Sequence, residues 1–153
     1  LRLTPCGMGS ETALEDATGV LAGLWTSLGE AVLVRGTGVV TERGARLERT
    51  LSVVPGEGPG CELGVDWDFR AMGTEPFWAA TVRGAVLVIE QPDEPRKSEA
   101  GVTRSGPAWT GEGVELRAVG GPCRDAMSGA WFERSVTLRW GDRVLHGCGA
   151  DGR

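Results

Sequence analysis

Residues 135–148 read S-V-T-L-R-W-G-D-R-V-L-H-G-C, and this stretch decides the fold class. It holds two short runs in which apolar residues alternate with polar ones, which is typical of β-strands that bury one face. Gly141 and Asp142 separate the two runs, and a pair of this type forms the tight turn of an antiparallel hairpin. The stretch is therefore predicted to be a β-hairpin whose second strand contains Cys148.

Similar short apolar runs fill most of the rest of the chain. A further hairpin is predicted to turn near Arg83 and Gly84, and the Pro-containing charged run at 92–101 is predicted to be an exposed loop or a sheet edge. The 25 glycines and 8 prolines suit many tight turns. Further strands are predicted over 31–40, 46–54, 65–70 and 113–119.

Helical character is confined to residues 10–30. Thr18 is a plausible N-cap and Gly29 a plausible C-terminal residue. The apolar stripe between them consists of Leu21, Leu24, Trp25 and Leu28. The predicted fold class is therefore mainly β: an antiparallel barrel or sandwich of short strands with one short N-terminal helix.

The four cysteines indicate the compartment. Each half of the chain opens with L-R…P-C and ends with G-C, which favours the pairs Cys6–Cys61 and Cys123–Cys148. A zinc site would need scattered ligands, because no C-x-x-C is present and His146 is the single histidine. Two disulfides predict an exported protein of the periplasm or outer surface, with its signal segment not in this chain. A boundary after the first pair gives two subdomains, 1–62 and 63–153.

The charge composition of the chain argues against two classes of binding partner. The 153 residues include 16 basic and 21 acidic side chains, for a net charge of −5. This balance argues against a nucleic-acid partner and against electrostatic docking on anionic lipid. No stretch approaches the ~18 apolar residues of a membrane span. The predicted partners are therefore proteins of the cell envelope.

Three blocks carry the candidate site: F-R-A-M-G-T-E-P-F-W at 69–78, C-R-D-A-M-S at 123–128, and L-H-G-C at 145–148. Two interpretations stay open. The blocks are structural corners of a barrel, in which the Glu75 carboxylate accepts hydrogen bonds from backbone N–H groups or an arginine. Alternatively, they line a ligand pocket. The candidate residues are Met72, Gly73, Glu75, Pro76, Phe77, Trp78, Asp125 and Ser128.

Together the three blocks resemble a family of bacterial envelope proteins and lipoproteins of unassigned function. That family carries G-N-E-P-F-W, then C-x-D-x-M-S, then a hairpin ending in G-C; here Thr74 stands in place of the Asn. The chain resembles, more distantly, the small β-barrels of the copper-stress lipoprotein NlpE, of META domains and of lysozyme-inhibitor lipoproteins. The resemblance covers roughly residues 69–149. It implies a β-barrel of the cell envelope and no defined chemistry.

The residues predict no enzyme, no cofactor and no metal. A nucleophilic site would need His146, and a bridged Cys148 cannot attack. The predicted function is a structural or accessory subunit bound to a larger envelope or membrane complex, with an electron-transport or photosynthetic assembly compatible with it. The alternative is a periplasmic stress-type module that binds copper, a small ligand or lysozyme. The soft copper ligands would come from Met8, Met72, Met127 and His146.

Overall fold

The computed structural model describes residues 1–7, 9–24, 27–28, 31–56 and 65–152. Within them the protein is mainly β with one short helix, as the sequence predicts. The chain clusters into two compact units, the first formed by 1–64 with 128–130 and the second by 65–127 with 131–153. The sequence predicts two subdomains, 1–62 and 63–153, and their independence stays a prediction.

The first unit is built on a long hairpin. Its elements are β1 (Arg2–Leu3), β2 (Thr12–Asp16), α1 (Val20–Leu24), β3 (Val32–Thr41) and β4 (Gly44–Pro55). The strands follow the order β1-β2-β4-β3, in which β2 and β4 are parallel and the other pairs antiparallel. The strand predicted at 31–40 is present, shifted by one residue, and the strand predicted at 46–54 is present and extends further at both ends.

The helix α1 is shorter than the predicted stretch, and its start is held mainly by Asp16. One carboxylate oxygen of Asp16 accepts the backbone N–H of Leu21 at 2.8 Å, and the other accepts that of Thr18 at 3.0 Å. Thr18, the predicted N-cap, contributes a weaker contact to the N–H of Val20 at 3.3 Å. Trp25 and Gly29 lie outside the described residues. No helix in the described part of the chain has the length and apolarity to cross a membrane.

The strands of the second unit are β5 (Phe69–Thr74), β6 (Phe77–Arg83), β7 (Val86–Glu90), β8 (Ser98–Gly101), β9 (Thr103–Ser105), β10 (Ala108–Gly111), β11 (Val114–Gly120), β12 (Cys123–Arg124), β13 (Trp131–Phe132), β14 (Arg134–Trp140) and β15 (Arg143–Asp151). Nine of them form an antiparallel sheet in the order β8-β7-β6-β5-β15-β14-β11-β10-β9. The other two, β12 and β13, form a short hairpin that joins β11 to β14 in the chain.

This sheet curls into a nearly closed barrel. Its two edge strands, β8 and β9, are consecutive in sequence and are separated by Val102 alone. The backbone N–H of Val102 donates to the carbonyl of Ala85 at 2.8 Å. A Cβ on Gly111 would overlap the carbonyl oxygen of Gly101, so the ends of β8 and β10 lie in direct contact. Curling protects both short edges, which would otherwise expose unpaired backbone groups.

Alternate residues of the barrel strands fill its interior. The rings of Phe69 and Trp109 stack at a centroid distance of 4.7 Å. Each large side chain that is fully buried here contributes about 1.5–3 kcal/mol relative to its exposed state. The other fully buried large residues of this unit are Val82, Leu87, Leu116, Val136 and Leu138.

One strand prediction differs from the structure. The strand predicted at 65–70 begins only at Phe69. Asp68 instead uses its carboxylate to accept the backbone N–H of Gly84 at 2.6 Å, and Asp66 pairs with Arg83 at 3.2 Å. Part of the charged run at 92–101 forms the edge strand β8, so the interpretation of this run as a sheet edge is confirmed. The hairpin predicted at Gly141 and Asp142 is confirmed.

Candidate functional site

The first motif forms the hairpin that joins β5 to β6. Thr74 pairs with Phe77 across a two-residue turn made by Glu75 and Pro76, whose peptide bond is cis. Phe77 is 52% exposed and Trp78 only 3%. The two aromatic residues therefore begin β6 with one side chain on each face.

The Trp78 side chain extends sideways across the neighbouring strands. Its indole N–H donates to the carbonyl oxygen of His146 in β15 at 3.3 Å. A Cβ on Gly73 would overlap the indole nitrogen, and a Cβ on Gly147 would overlap the carbonyl oxygen of Met72. The glycine of the first motif and the glycine of H-G-C are thus both required by close packing around one indole ring.

A hydrogen bond and a disulfide bring the three motifs together. The Thr74 hydroxyl donates to the Asp125 carboxylate at 3.1 Å, which joins the first motif to the second. Cys123 and Cys148 form the predicted disulfide, with a Cα–Cα distance of 5.4 Å, which joins the second motif to the third. Cys148 also lies directly opposite Met72 in the sheet. We call the turn at 74–77 together with Asp125 the motif corner.

The carboxylate of Glu75, on the exposed side of the motif corner, does not play the role that the sequence predicts for it. Glu75 is exposed, and its carboxylate makes no hydrogen bond or ion pair with another described residue. It therefore does not hold the corner by accepting backbone N–H groups or an arginine. The corner is held instead by Thr74 and Trp78, whose polar groups reach Asp125 and His146.

The candidate residues do not line one pocket. Trp78 points into the barrel, whereas Met72, which alternates with the inward-facing Gly73, projects from the outer face. Met127, two residues after Asp125, is 62% exposed. Ser128 belongs to the first unit, where its hydroxyl accepts the backbone N–H of Ala130 at 3.2 Å in a local turn. The sequence motifs therefore meet at a corner of the barrel and do not line one cavity.

The outer face of the barrel also carries the single histidine. His146 is exposed, and its Nδ1 lies 3.4 Å from the Thr137 hydroxyl. Cys148 is bridged and buried, so its sulfur is neither a nucleophile nor a thiolate ligand. Among the described residues, no three His, Cys, Asp or Glu side chains are grouped so that they could hold a metal ion.

The second predicted disulfide falls partly outside the described residues. Cys61 lies in the undescribed range 57–64, so the pair Cys6–Cys61 stays a prediction. Met8, one of the four soft ligands considered for copper, also lies outside the described residues.

Comparison with known proteins returns no relative. No family model, no curated protein and no solved structure matches the chain.

Sequence reasoning missed the parts of the site that depend on contacts across strands. Thr74 is not among the residues that the sequence predicts for the site, although its hydroxyl makes the bond to Asp125. Gly147 is not among them either, although the indole of Trp78 packs against it. Glycines within strand patterns, Gly73 in G-T-E-P-F-W and Gly147 in H-G-C, are the signal that could have identified this packing.

Proposed function

We propose that this protein is a non-enzymatic accessory subunit of the cell envelope, which joins a larger assembly through the exposed side of the motif corner. The observation that carries the proposal is the half-exposed ring of Phe77 on an anchored strand. The neighbouring residues of Phe77 are fixed by hydrogen bonds to Asp125 and His146. A rigid, exposed aromatic side chain loses little conformational entropy on binding and is typical of interface anchors.

Two further features support the same proposal. Met127 places a second exposed apolar side chain two residues after Asp125, and methionine is common in protein interfaces. The disulfide Cys123–Cys148 is a bond that persists in oxidising compartments, which supports a periplasmic or outer-surface location. The exposed carboxylate of Glu75 beside Phe77 would supply a polar group at the rim of such an interface.

Photo-crosslinking in the native host tests the proposal. A benzophenone amino acid replaces Phe77 in one version and Val86 in the other. Val86 is 41% exposed and begins β7. Its partner is Arg83, which lies at the opposite end of β6 from Phe77. We expect position 77, but not position 86, to cross-link one dominant envelope protein that mass spectrometry then identifies. Absence of adducts at position 77, or identical adducts at both positions, would contradict the proposal.

Soft-metal binding is a second candidate, because Met72 and His146 share a face. Met72 is opposite Cys148, and His146 lies two residues before Cys148 on β15, so both side chains project outward from adjacent strands. Thioether and imidazole groups are suitable ligands for Cu(I). Competition with a chromophoric Cu(I) chelator tests this candidate. Binding that Met72→Leu abolishes and Met127→Leu leaves intact would favour it, and failure to withdraw copper from the chelator would eliminate it.

A further inference from the structure

Phe77 lies at one end of the barrel of the second unit, where three turns come together. β5 and β7 are both antiparallel to β6, so the turn at 75–76 and the loop at 91–97 are neighbours at the end where β6 begins. β15 is antiparallel to both β5 and β14, which places the turn at 141–142 at the same end. We call these three turns the Phe77 end of the barrel.

The Phe77 end carries exposed carboxylates that are not used within the protein. One of them lies two residues before Phe77 in the chain, and the loop at 91–97 and the turn at 141–142 add three more. None of the four side chains makes a hydrogen bond or an ion pair with another described residue. They are Glu75, Asp93, Glu94 and Asp142.

The guanidinium of Arg143, in contrast, is engaged within the barrel end. It lies 4.3 Å from the centroid of the Trp140 ring, and its Nη1 donates to the side-chain oxygen of Gln91 at 3.0 Å. A cation stacked on an aromatic face is stabilised by the ring. The two contacts hold the turn at 141–142 against the loop at 91–97, so this surface is preformed.

Lys97 is also paired internally. Its ammonium group lies 2.8 Å from the Glu90 carboxylate, and this contact holds the pKa of Glu90 below its ordinary value. Among the basic side chains that the structure describes in these three turns, Arg96 is the one that makes no hydrogen bond or ion pair. The free charge around the exposed Phe77 ring is therefore predominantly negative.

We infer that the partner of the Phe77 end is a protein with a basic docking surface, on which arginine or lysine side chains surround the recess that receives the Phe77 ring. This partner is the one of the proposed function, on which the inference rests. Seating the ring would take the Glu75 carboxylate out of water, which is costly unless the partner supplies a positive charge. An acidic surface would be repelled, because like charges across an interface oppose association.

Charge reversal at the Phe77 end tests the inference in the native host. The benzophenone amino acid at position 77 reports contact, and its adduct is measured with and without the paired reversal Glu75→Lys with Glu94→Lys. We expect the paired reversal to lower the adduct yield about tenfold or more, and Glu75→Asp, which keeps the charge, to leave it nearly unchanged. The matched control is Glu42→Lys with Glu48→Lys, which reverses two exposed carboxylates of the first unit and should leave the yield unchanged.

Salt provides a second measurement that needs no charge reversal. In isolated envelopes, a rise from about 0.05 M to about 0.5 M salt screens attraction between exposed charges and should lower the adduct yield at position 77 severalfold. This measurement decides the question if a reversed variant proves less stable than the wild type.

The outcomes separate the basic partner from the proposed function itself. An adduct at position 77 that survives the paired reversal, or that is insensitive to salt, would leave the proposed function standing and overturn the basic partner. An equal loss in the control variant would also overturn it, since total charge rather than the Phe77 end would then govern contact. Absence of any adduct at position 77 would overturn both.

Discussion

The indole N–H of Trp78 donates to the carbonyl oxygen of His146 at 3.3 Å across 68 residues of sequence. The ring reaches that carbonyl only because Gly73 and Gly147 have no side chains. One aromatic side chain thereby ties the hairpin of the first motif to the last strand of the barrel. Phe77, the next residue toward the turn, is held in place while its own ring stays exposed.

Gly73→Ala should lower the free energy of unfolding by about 2–3 kcal/mol, because the new methyl group overlaps the Trp78 indole and forces it to move. Urea unfolding followed by tryptophan fluorescence measures the change. The matched control is Gly101→Ala, because a Cβ at Gly101 would meet no atom within 4 Å. Equal effects of the two substitutions would show that the packing around Trp78 does not explain the glycine.

Thr74→Val should lower the free energy of unfolding by about 1 kcal/mol, because it removes the hydroxyl that donates to Asp125 and keeps the shape of the side chain. Thr74→Ser is the control, since it retains the hydroxyl, and it should lose less. Thermal unfolding at neutral pH provides the comparison. A valine variant as stable as the serine variant would mean that the bond to Asp125 does not stabilise the corner.

The double substitution Cys123→Ala with Cys148→Ala should destabilise the protein by roughly 3.5 kcal/mol, the value that the chain-entropy model gives for a loop of this length. The two cysteines are separated by 25 positions. Chemical denaturation of both proteins under non-reducing conditions measures the difference. A loss below about 1 kcal/mol would contradict the view that this bond fixes the second motif to β15.

Asp16→Ala should cost about 1 kcal/mol at neutral pH, as expected for the loss of a helix cap. Burial raises the pKa of Asp16, but hydrogen bonds from Thr18 and from the N–H groups at the start of α1 outweigh it and hold the pKa below the ordinary 3.8. Because the pKa of Asp16 is lower in the folded state, its carboxylate stabilises the fold at pH values above 3.8. This stabilisation is lost as the pH falls through the pKa of the folded state.

The stability difference between wild type and Asp16→Ala should therefore be constant at neutral pH and shrink on acidification below the ordinary pKa of the carboxyl group. Asp93→Ala, in an exposed loop, serves as the control and should change stability by less than about 0.5 kcal/mol. A difference that grows as the pH falls would show that the carboxylate form of Asp16 is not the stabilising one.

Local patterns predict the fold class and several of its hairpins. The turn at Gly141 and Asp142 and the turn after Arg83 are determined by a few adjacent residues, so both follow from the sequence. The disulfide Cys123–Cys148 follows from the similar contexts of the cysteines. The closure of the barrel does not follow from the sequence. It depends on β9 and β10, whose short runs around Gly106 and Pro107 show little alternation of apolar and polar residues.

The wrong predictions share a physical cause. In each case the polar contact that forms joins two residues that are remote in the sequence. Asp68 alternates with apolar neighbours as a strand residue would, but its carboxylate accepts the N–H of Gly84, and the strand begins one residue later. The sequence predicts that Glu75 anchors the corner, whereas the bond comes from Thr74 to Asp125, 51 positions away. Partners this remote leave no trace in a local sequence pattern.

The role of the Phe77 ring is tested by the substitution Phe77→Ser, measured for stability and for assembly. We expect a melting curve close to that of the wild type, because the ring is half exposed, together with loss of the protein from its native envelope assembly on gentle purification. Val86→Ser, at a similarly exposed residue, should remain in the assembly. A Phe77→Ser protein that melts like the wild type and still co-purifies with the assembly would contradict the central claim.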